Sequence, residues 1–288
     1  MKRKGIIYED DWSEHYREMT SRNLGIFSRK DQEKIRTTPI AVLGLGGLGG
    51  PLAEQLVRTG CEHLVLCDND IFEKSNLNRQ VCTLQDIGKM KVDGLEKYLL
   101  NINPDLHLKK YSEITLENID RVLSGISIVC LTLDDIKTSI LIARKCRDLN
   151  IPLIEAYGVY FTFAWWFTQK SIDYEECYGF QTAEISDLEL IRSNSANLKS
   201  NISLAQFLLS LPGSEQIYER ISGTIEKMRA GKISALSIAP LVRMNASYLA
   251  LNVLYSGILD IKKKTLAPHL KYFNFLEDKS RELTLGGL

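Results

Sequence analysis

Residues 40–80 constrain the fold more than any other part of the chain. An apolar strand at 40–43 breaks into Gly44-Leu45-Gly46-Gly47-Leu48-Gly49. A helix over 51–58 follows, with Leu52, Leu56 and Val57 at helical spacing and Pro51 suited to a first turn, and a second apolar strand at 64–67 ends at Asp68. In such a turn Gly44 allows the tight bend, Gly46 lets backbone N–H groups approach a phosphate, and Gly49 lets helix and strand pack closely. The helix N-terminus adds partial positive charge. Asp68 stands at the spacing of an acid that binds a ribose hydroxyl. The reading is a nucleotide site, against a merely tight strand-to-helix turn. Ser75-Asn76-Leu77-Asn78-Arg79-Gln80 then adds a dense polar group suited to a triphosphate, or to a solvated loop.

The alternation continues with a helix over 89–100, a strand at 106–110, a strand at 127–131, a helix over 136–149 and a strand at 152–155. This predicts an α/β fold: a Rossmann-like, doubly wound, mainly parallel sheet. The aromatic run Phe161-Thr162-Phe163-Ala164-Trp165-Trp166-Phe167 reads as a core strand of an antiparallel extension, with a substrate surface as the alternative. Residues 168–200 are polar and read as a crossing loop with a short helix. Helical patterns over 202–211, 214–228 and 234–258 predict a C-terminal helical segment. The organisation expected is an N-terminal helical arm over 1–36, a nucleotide-binding core over 37–170, and a crossing loop and C-terminal part of the same domain over 171–288.

Charge balances at 36 basic and 36 acidic residues, so no broad field favours nucleic acid. The basic start, Met1-Lys2-Arg3-Lys4, has no apolar signal segment after it, and Pro240, Arg243, Asn245 and Asn252 interrupt the most apolar long stretch. A cytoplasmic protein without a membrane span is expected. The six cysteines form no C-x-x-C pair, and a disulfide framework is not expected. Cys67 and Cys130, in apolar strand-like runs, read as small buried hydrophobes.

Taken in order, Arg22-Asn23-Leu24-Gly25, the glycine loop, Asp68 and Asp70, the Ser75 to Gln80 segment, Gly88-Lys89-Met90-Lys91-Val92, Asn103-Pro104 and Asp134-Asp135 resemble the ThiF/MoeB/HesA adenylating enzymes, which include the adenylation domains of ubiquitin-activating enzymes. The resemblance covers residues 20–170 and is loose beyond. It implies ATP and magnesium as cofactors and a homodimer. It also implies that Gly44, Gly46, Gly47, Gly49, Asp68 and Asp70 line the nucleotide, that Arg79 contacts the phosphates, that Asn76 orients them and that Gln80 supports the loop. Lys91 aligns with a phosphate lysine, with Lys89 close by. Arg22 resembles an arginine supplied across the dimer interface, with Arg29 a second candidate in the same arm. Asp134 resembles the acid that holds magnesium. Asp135 departs from the family's usual asparagine, and either acid is also placed to cap the helix from Ile136.

Many relatives carry two C-x-x-C pairs for zinc. Here Cys177-Tyr178-Gly179-Phe180 stands where the first would lie and no cysteine follows, so no zinc is expected. Cys177 reads as a remnant of that pair or as a nucleophile for acyl transfer.

The function expected is ATP-dependent adenylation of a carboxylate at the end of a peptide or small carrier protein. Transfer straight to an external amine or sulfur donor, and peptide natural-product modification, remain options, the latter weakened by the absence of a leader-binding domain before Arg22. Activation of a carboxylate on tRNA gains no support from neutral charge. An NAD-dependent oxidoreductase would leave the segment from Ser75 to Gln80 unexplained. A non-catalytic scaffold would be expected to have lost one of the site residues.

Overall fold

The computed structural model describes residues 11–157, 160–193, 214–230, 232–233 and 236–284. In chain order the elements are α1 (Glu14–Met19), α2 (Arg29–Thr37), β1 (Ile40–Leu43), α3 (Gly49–Arg58), β2 (His63–Cys67), α4 (Lys91–Leu100), β3 (His107–Tyr111), α5 (Ile119–Leu123), β4 (Ile128–Leu131), α6 (Ile136–Asp148), β5 (Leu153–Tyr157) and β6 (Phe161–Phe167). They continue with α7 (Tyr174–Tyr178), α8 (Asp187–Arg192), α9 (Ser214–Tyr218), α10 (Thr224–Arg229), α11 (Ala239–Asn252), β7 (His269–Asn274) and β8 (Lys279–Thr284).

One eight-stranded sheet runs in the order β3-β2-β1-β4-β5-β6-β7-β8. The first five are parallel, with Ile40 beside both Leu64 and Ile128, and β6, β7 and β8 are antiparallel. The expected sheet and its antiparallel extension are both present. Chain order reverses between β1 and β4, the place where doubly wound sheets open a crevice for ligands. Successive side chains in a strand point to opposite faces. Ala41, Leu43, Val129, Leu131, Phe161, Phe163 and Trp165 therefore join one core with α6 and α7, while Ile40, Val42, Ile128, Cys130, Ala164 and Trp166 join a second with α3 and α11. Burial on both faces explains why these strands read as unbroken apolar runs. All seven residues of β6 are buried, and Trp165 packs edge-on against Phe163 and Phe167.

The arm is packed onto this core. Tyr16 donates to the Gly60 carbonyl at 2.8 Å, Gln32 Nε2 to the Thr59 carbonyl at 2.9 Å, and Arg36 pairs with Glu62 at 3.2 Å. Ser28 and Asp31 form a reciprocal cap that starts α2.

Several expectations are corrected. The helix expected from 89 begins at Lys91, because the chain first reverses through Gly88, where Phe72 N–H bonds the Lys89 carbonyl and Gly88 N–H bonds the Phe72 carbonyl. The helix expected over 214–228 is two short ones, α9 and α10. The one expected from 234 starts at Ala239, with Pro240 in its first turn, and continues beyond Asn252 as a π-turn over Val253–Ile258. The C-terminal segment is not purely helical, because the hairpin β7–β8 follows it. The short helix α5 is an addition to the expected order. The helix expected over 202–211 lies outside the described residues.

The segment after β6 is held by α6. Arg144 donates through its guanidinium to Glu175 at 2.7 and 2.8 Å, to Asp187 at 2.7 Å, and to the carbonyls of Thr182 at 2.6 Å and Ile185 at 2.8 Å. Lys137 Nζ donates to the carbonyls of Ile191 and Ser193 at 3.0 and 3.1 Å, closing the C-terminal end of α8. On the sheet side, Glu155 is fully buried and accepts from Trp165 Nε1 at 2.8 Å and from the Tyr178 hydroxyl. A buried carboxylate is retained only with such donors around it. The expected crossing loop therefore carries two helices, α7 and α8.

Candidate nucleotide site

The glycine loop sits at the C-terminal ends of β1 and β4. Gly44 has φ +98°, and a Cβ there would stand 2.4 Å from the Thr132 carbonyl oxygen, so the chain passes β4 with no room for a side chain. Thr132 adds a hydroxyl that donates to the Gly44 carbonyl at 2.6 Å. A Cβ on Gly49 would lie 1.8 Å from the Gly44 oxygen, which is how α3 starts directly against the turn. Around Gly46 there is space: its nearest neighbour would be Gln80 Nε2, 3.9 Å from an added Cβ. No side chain caps α3, whose N-cap position is Leu48. Its first-turn N–H groups and its dipole thus face the loop without a side-chain acceptor.

Asp68 is buried and braces this loop. One oxygen accepts from Leu45 N–H at 2.6 Å and the other from Asp70 N–H at 2.9 Å. Lys91 is brought to it by the chain reversal, through a bridge between Ile71 and Met90 and a bond from Lys91 N–H to the Asp70 carbonyl. Its Nζ lies 2.7 Å from Asp70 and 3.7 Å from Asp68. Lys89 instead points to solvent and pairs with Asp86 at 3.2 Å, so of the two lysines it is Lys91 that meets the buried Asp68 and the exposed Asp70.

Arg79 lies along the loop, with its side-chain carbons and Nε 3.4 to 3.5 Å from where a Cβ on Gly47 would be. Its Nη1 donates to the Ser75 carbonyl at 3.2 Å and to Asn78 Oδ1 at 2.8 Å, both uncharged acceptors. Asn76 is buried and its Oδ1 accepts from Glu73 N–H at 3.0 Å, which shapes the turn from which Arg79 and Gln80 project. Gln80 is 7% exposed and its Oε1 has no hydrogen-bond partner among the described residues. A buried amide oxygen with no partner is costly, and a donor arriving with a ligand or water would satisfy it.

Asp134 and Asp135 follow β4. Asp135 Oδ2 accepts from Thr138 N–H at 2.8 Å and caps α6, whereas Asp134 is exposed and bonds no described residue. The two acids thus divide the tasks of helix cap and free carboxylate.

Arg22 is not brought to this loop. It follows α1, and the adjacent Asn23 bonds the Thr59 carbonyl at 3.1 Å, at the C-terminal end of α3. The glycine loop is at the other end of that ten-residue helix, about 15 Å away at 1.5 Å per residue. Arg29, the second arginine of the arm, stacks over Trp12 at 5.2 Å.

All six cysteines are free thiols. Cys177 is buried in the core beside α6, and burial, followed by the negative charge of Glu155, pushes its thiol well above the ordinary range. Both disfavour the thiolate that a nucleophile needs. Cys82, next to Val81 beyond the polar segment, is half-buried, and burial raises its thiol as well. Among the described residues no group of three His, Cys, Asp or Glu side chains converges to hold a metal ion.

Sequence reasoning did not single out Thr132, which ties the loop to β4, or the bond from Asn78 Nδ2 to the Ser237 carbonyl at 2.9 Å, which ties the polar segment to the start of α11. Both pairings join residues far apart in sequence, so no local spacing signals them.

A model of the ThiF family matches residues 20–287. Ubiquitin-like modifier-activating enzyme 5 of Gallus gallus is 34% identical over 153 residues, spanning 49% of this chain and 38% of that protein. The adenylyltransferase and sulfurtransferase MOCS3 of Drosophila sechellia is 30% identical over 51% of this chain and 32% of its own length. The SAMP-activating enzyme E1 of Haloferax volcanii is 31% identical over 43% of this chain and 46% of its own length. The chain therefore matches less than half the length of each of these relatives. Among solved structures, PaaA aligns with a TM-score of 0.67 at 18% identity, over 99% of this chain and 78% of PaaA. E. coli MccB with ATP aligns at 0.62 and 19%, over 89% and 66%. At that identity the likeness establishes the fold.

Proposed function

The chain belongs to the ThiF family, and on that premise we propose that it is an adenylyltransferase that uses ATP to activate the carboxylate of a peptide or small carrier protein. The observation that carries this reading is Arg79. Its guanidinium, bonded among the described residues only to neutral oxygens, lies against a glycine loop at a helix N-terminus without a side-chain cap. That arrangement binds phosphate by charge and by backbone donors together. The activating enzymes among the relatives, and the MccB structures with ATP and with MccA, agree with activating chemistry on such substrates.

In this reading a carboxylate oxygen attacks the α-phosphorus and the bond to the bridging oxygen of pyrophosphate breaks, leaving an acyl adenylate and pyrophosphate. The protein positions the groups and neutralises charge. Gly46, Gly47 and the first turn of α3 cradle the phosphates, with Gln80 Oε1 available to a donor beside them. Asp68, already bracing the loop, accepts from the ribose. Lys91 moves between Asp70 and the phosphates, and Asn76 keeps the turn that aims Arg79. Asp134, a free carboxylate at the end of β4, would hold a magnesium ion, which when bound offsets phosphate charge. No helix among the described residues is long and apolar enough to cross a membrane, and we place the reaction in the cytoplasm.

The test is pyrophosphate exchange into ATP, driven by candidate carboxylate peptides. Wild type and Cys177→Ala are both expected to exchange at the same rate, because the nucleophile of this half-reaction is the substrate and Cys177 is buried. Binding of NADH with no exchange for any carboxylate would sink the reading. Full exchange with loss of the final product in Cys177→Ala would instead make that thiol the transfer nucleophile.

We propose a homodimer with shared sites, a reading supported by the place of Arg22 at the far end of α3 from its own glycine loop. Arg22→Ala and Arg79→Ala should each be inactive. Mixed in equal amounts they should recover about a quarter of wild-type exchange, since half the dimers formed are hybrids and each hybrid has one intact site. No recovery after subunit exchange verified by mass would place Arg22 outside the chemistry.

A further inference from the structure

One corner of the sheet lies far from the glycine loop. Trp166 lies beside Leu266, and His269 beside Thr284, so β7 begins and β8 ends where the parallel strands start, at the opposite end of the sheet from the loop. Four strand spacings separate β1 from β7, about 19 Å. Leu270 and Tyr272 turn into the core beside α6 and α7, and His269 and Lys271 therefore point to the other face.

On that face a groove of about 690 Å³ is lined by Lys262, Lys263, Lys264 and Lys271, with Tyr248 and Leu266 as apolar wall. Glu282 is the single carboxylate among the described lining residues. It pairs with Lys271, and Lys264 donates to the Ser256 carbonyl at 2.6 Å with Asp260 at 3.7 Å. Among the described residues Lys262 bonds only a neutral group, Asn252 Oδ1 at 2.6 Å, and Lys263 is exposed. Burial first, and the charge of Lys271 second, hold the Lys262 ammonium below its ordinary pKa. Like charges are thus crowded in the groove, in a chain whose overall charge is balanced. β8 is the last strand in the sheet order, so its outer edge offers backbone N–H and C=O groups without a strand partner among the described residues.

We propose that this groove docks an acidic, extended segment of a partner protein, whose carboxylates meet Lys262, Lys263 and Lys271 beside the free edge of β8. Carboxylates would relieve the crowding of ammonium groups, and the strand edge favours a peptide backbone over a small anion or a lipid surface. Its place at the far end of the sheet makes it an anchoring surface separate from the nucleotide loop, and the inference does not depend on adenylation.

The probe is a fluorescein-labelled peptide of alternating Glu and Thr residues, titrated by anisotropy into the full chain and into Lys263→Glu/Lys271→Gln. Wild type should bind it saturably, more weakly as salt rises, and not bind the matching Lys/Thr peptide. The double variant should bind at least about tenfold more weakly with an unchanged melting curve and unchanged pyrophosphate exchange. Equal affinity of the variant, or no binding by wild type, would overturn the proposal. Displacement of the peptide by phosphatidylserine vesicles or a single-stranded oligonucleotide at lower concentration than by unlabelled peptide would also overturn it, in favour of those surfaces. A changed oligomeric state of the variant in light scattering would assign the groove to a second copy of the chain instead.

Discussion

Arg79→Ala is expected to slow carboxylate-dependent pyrophosphate exchange by at least about a hundredfold, with the fold almost untouched. The guanidinium charge is not neutralised by any described residue, since its two acceptors are the Ser75 carbonyl and Asn78 Oδ1. A unit charge about 4 Å from a phosphate oxygen is worth roughly 4 kcal/mol at an effective dielectric near 20. Loss of most of that from the transition state corresponds to about two to three powers of ten in rate. Folding loses two hydrogen bonds at a half-exposed side chain, about 1 kcal/mol or less. Asp134→Asn should act in the same direction, because it keeps the shape of a side chain that bonds no described residue and removes only its charge. Exchange at the wild-type rate in Arg79→Ala, measured at saturating ATP and again at low ATP, would remove Arg79 from the phosphate site.

The parts of this molecule that were legible in its sequence are those where local pattern and tertiary role coincide. β1, β2, β4 and β5 are buried on both faces, so each reads as an apolar run, and the glycine loop announces itself because Gly44 and Gly49 have no room for a Cβ. β7 and β8 read differently. β7 carries one apolar face and one exposed face, so His269-Leu270-Lys271-Tyr272 shows an alternation too short to separate from loop, and β8 is polar and exposed except at Leu283, so it shows none. Asp134 and Asp135 were equivalent as capping candidates in sequence, and only the direction of the chain after β4 decides that Asp135 caps. Between Lys91, which the resemblance favours, and the neighbouring Lys89, the bridge between Ile71 and Met90 sets which one turns inward.

The segment after β6 was the least legible, for a physical reason. Its order comes from polar side chains that meet partners far away in sequence, and a run rich in Glu and Ser looks solvated when its partners are out of view. Glu175 is 5% exposed, yet nothing in its neighbours within the chain marks it as buried. The partner is Arg144, on the face of α6 opposite to solvent, and its signal in the sequence is one basic residue in an amphipathic helix. α6 gathers this region by supplying Lys137, Arg144 and Arg147 as donors, the last reaching the carbonyls of Thr168 and Ser171 at 3.3 Å.

Arg144→Ala should accordingly be among the most destabilising single changes outside the hydrophobic core, by about 3 kcal/mol. All five guanidinium N–H positions are used, on two carboxylates and two carbonyls, and the Arg144 and Glu175 side chains are 18% and 7% exposed. Truncation leaves the Glu175 carboxylate buried with the Thr182 hydroxyl as its remaining side-chain donor, which costs more than the net worth of the pair itself. A melting midpoint on the order of 5–10 °C lower is expected for a chain of this size. Early proteolytic cleavage within residues 171–193 should accompany it, because α7 and α8 depend on this anchor more than the sheet does. Arg144→Lys keeps the charge and gives up the planar fork, and should fall between wild type and alanine. Replacing the pair with apolar residues, Arg144→Met with Glu175→Leu, should recover much of the lost stability, since it removes both the donor and the stranded charge. A midpoint for Arg144→Ala within about 1 °C of wild type, with no change in the proteolytic pattern, would mean that the segment is held by the Glu155 network and its aromatic packing alone.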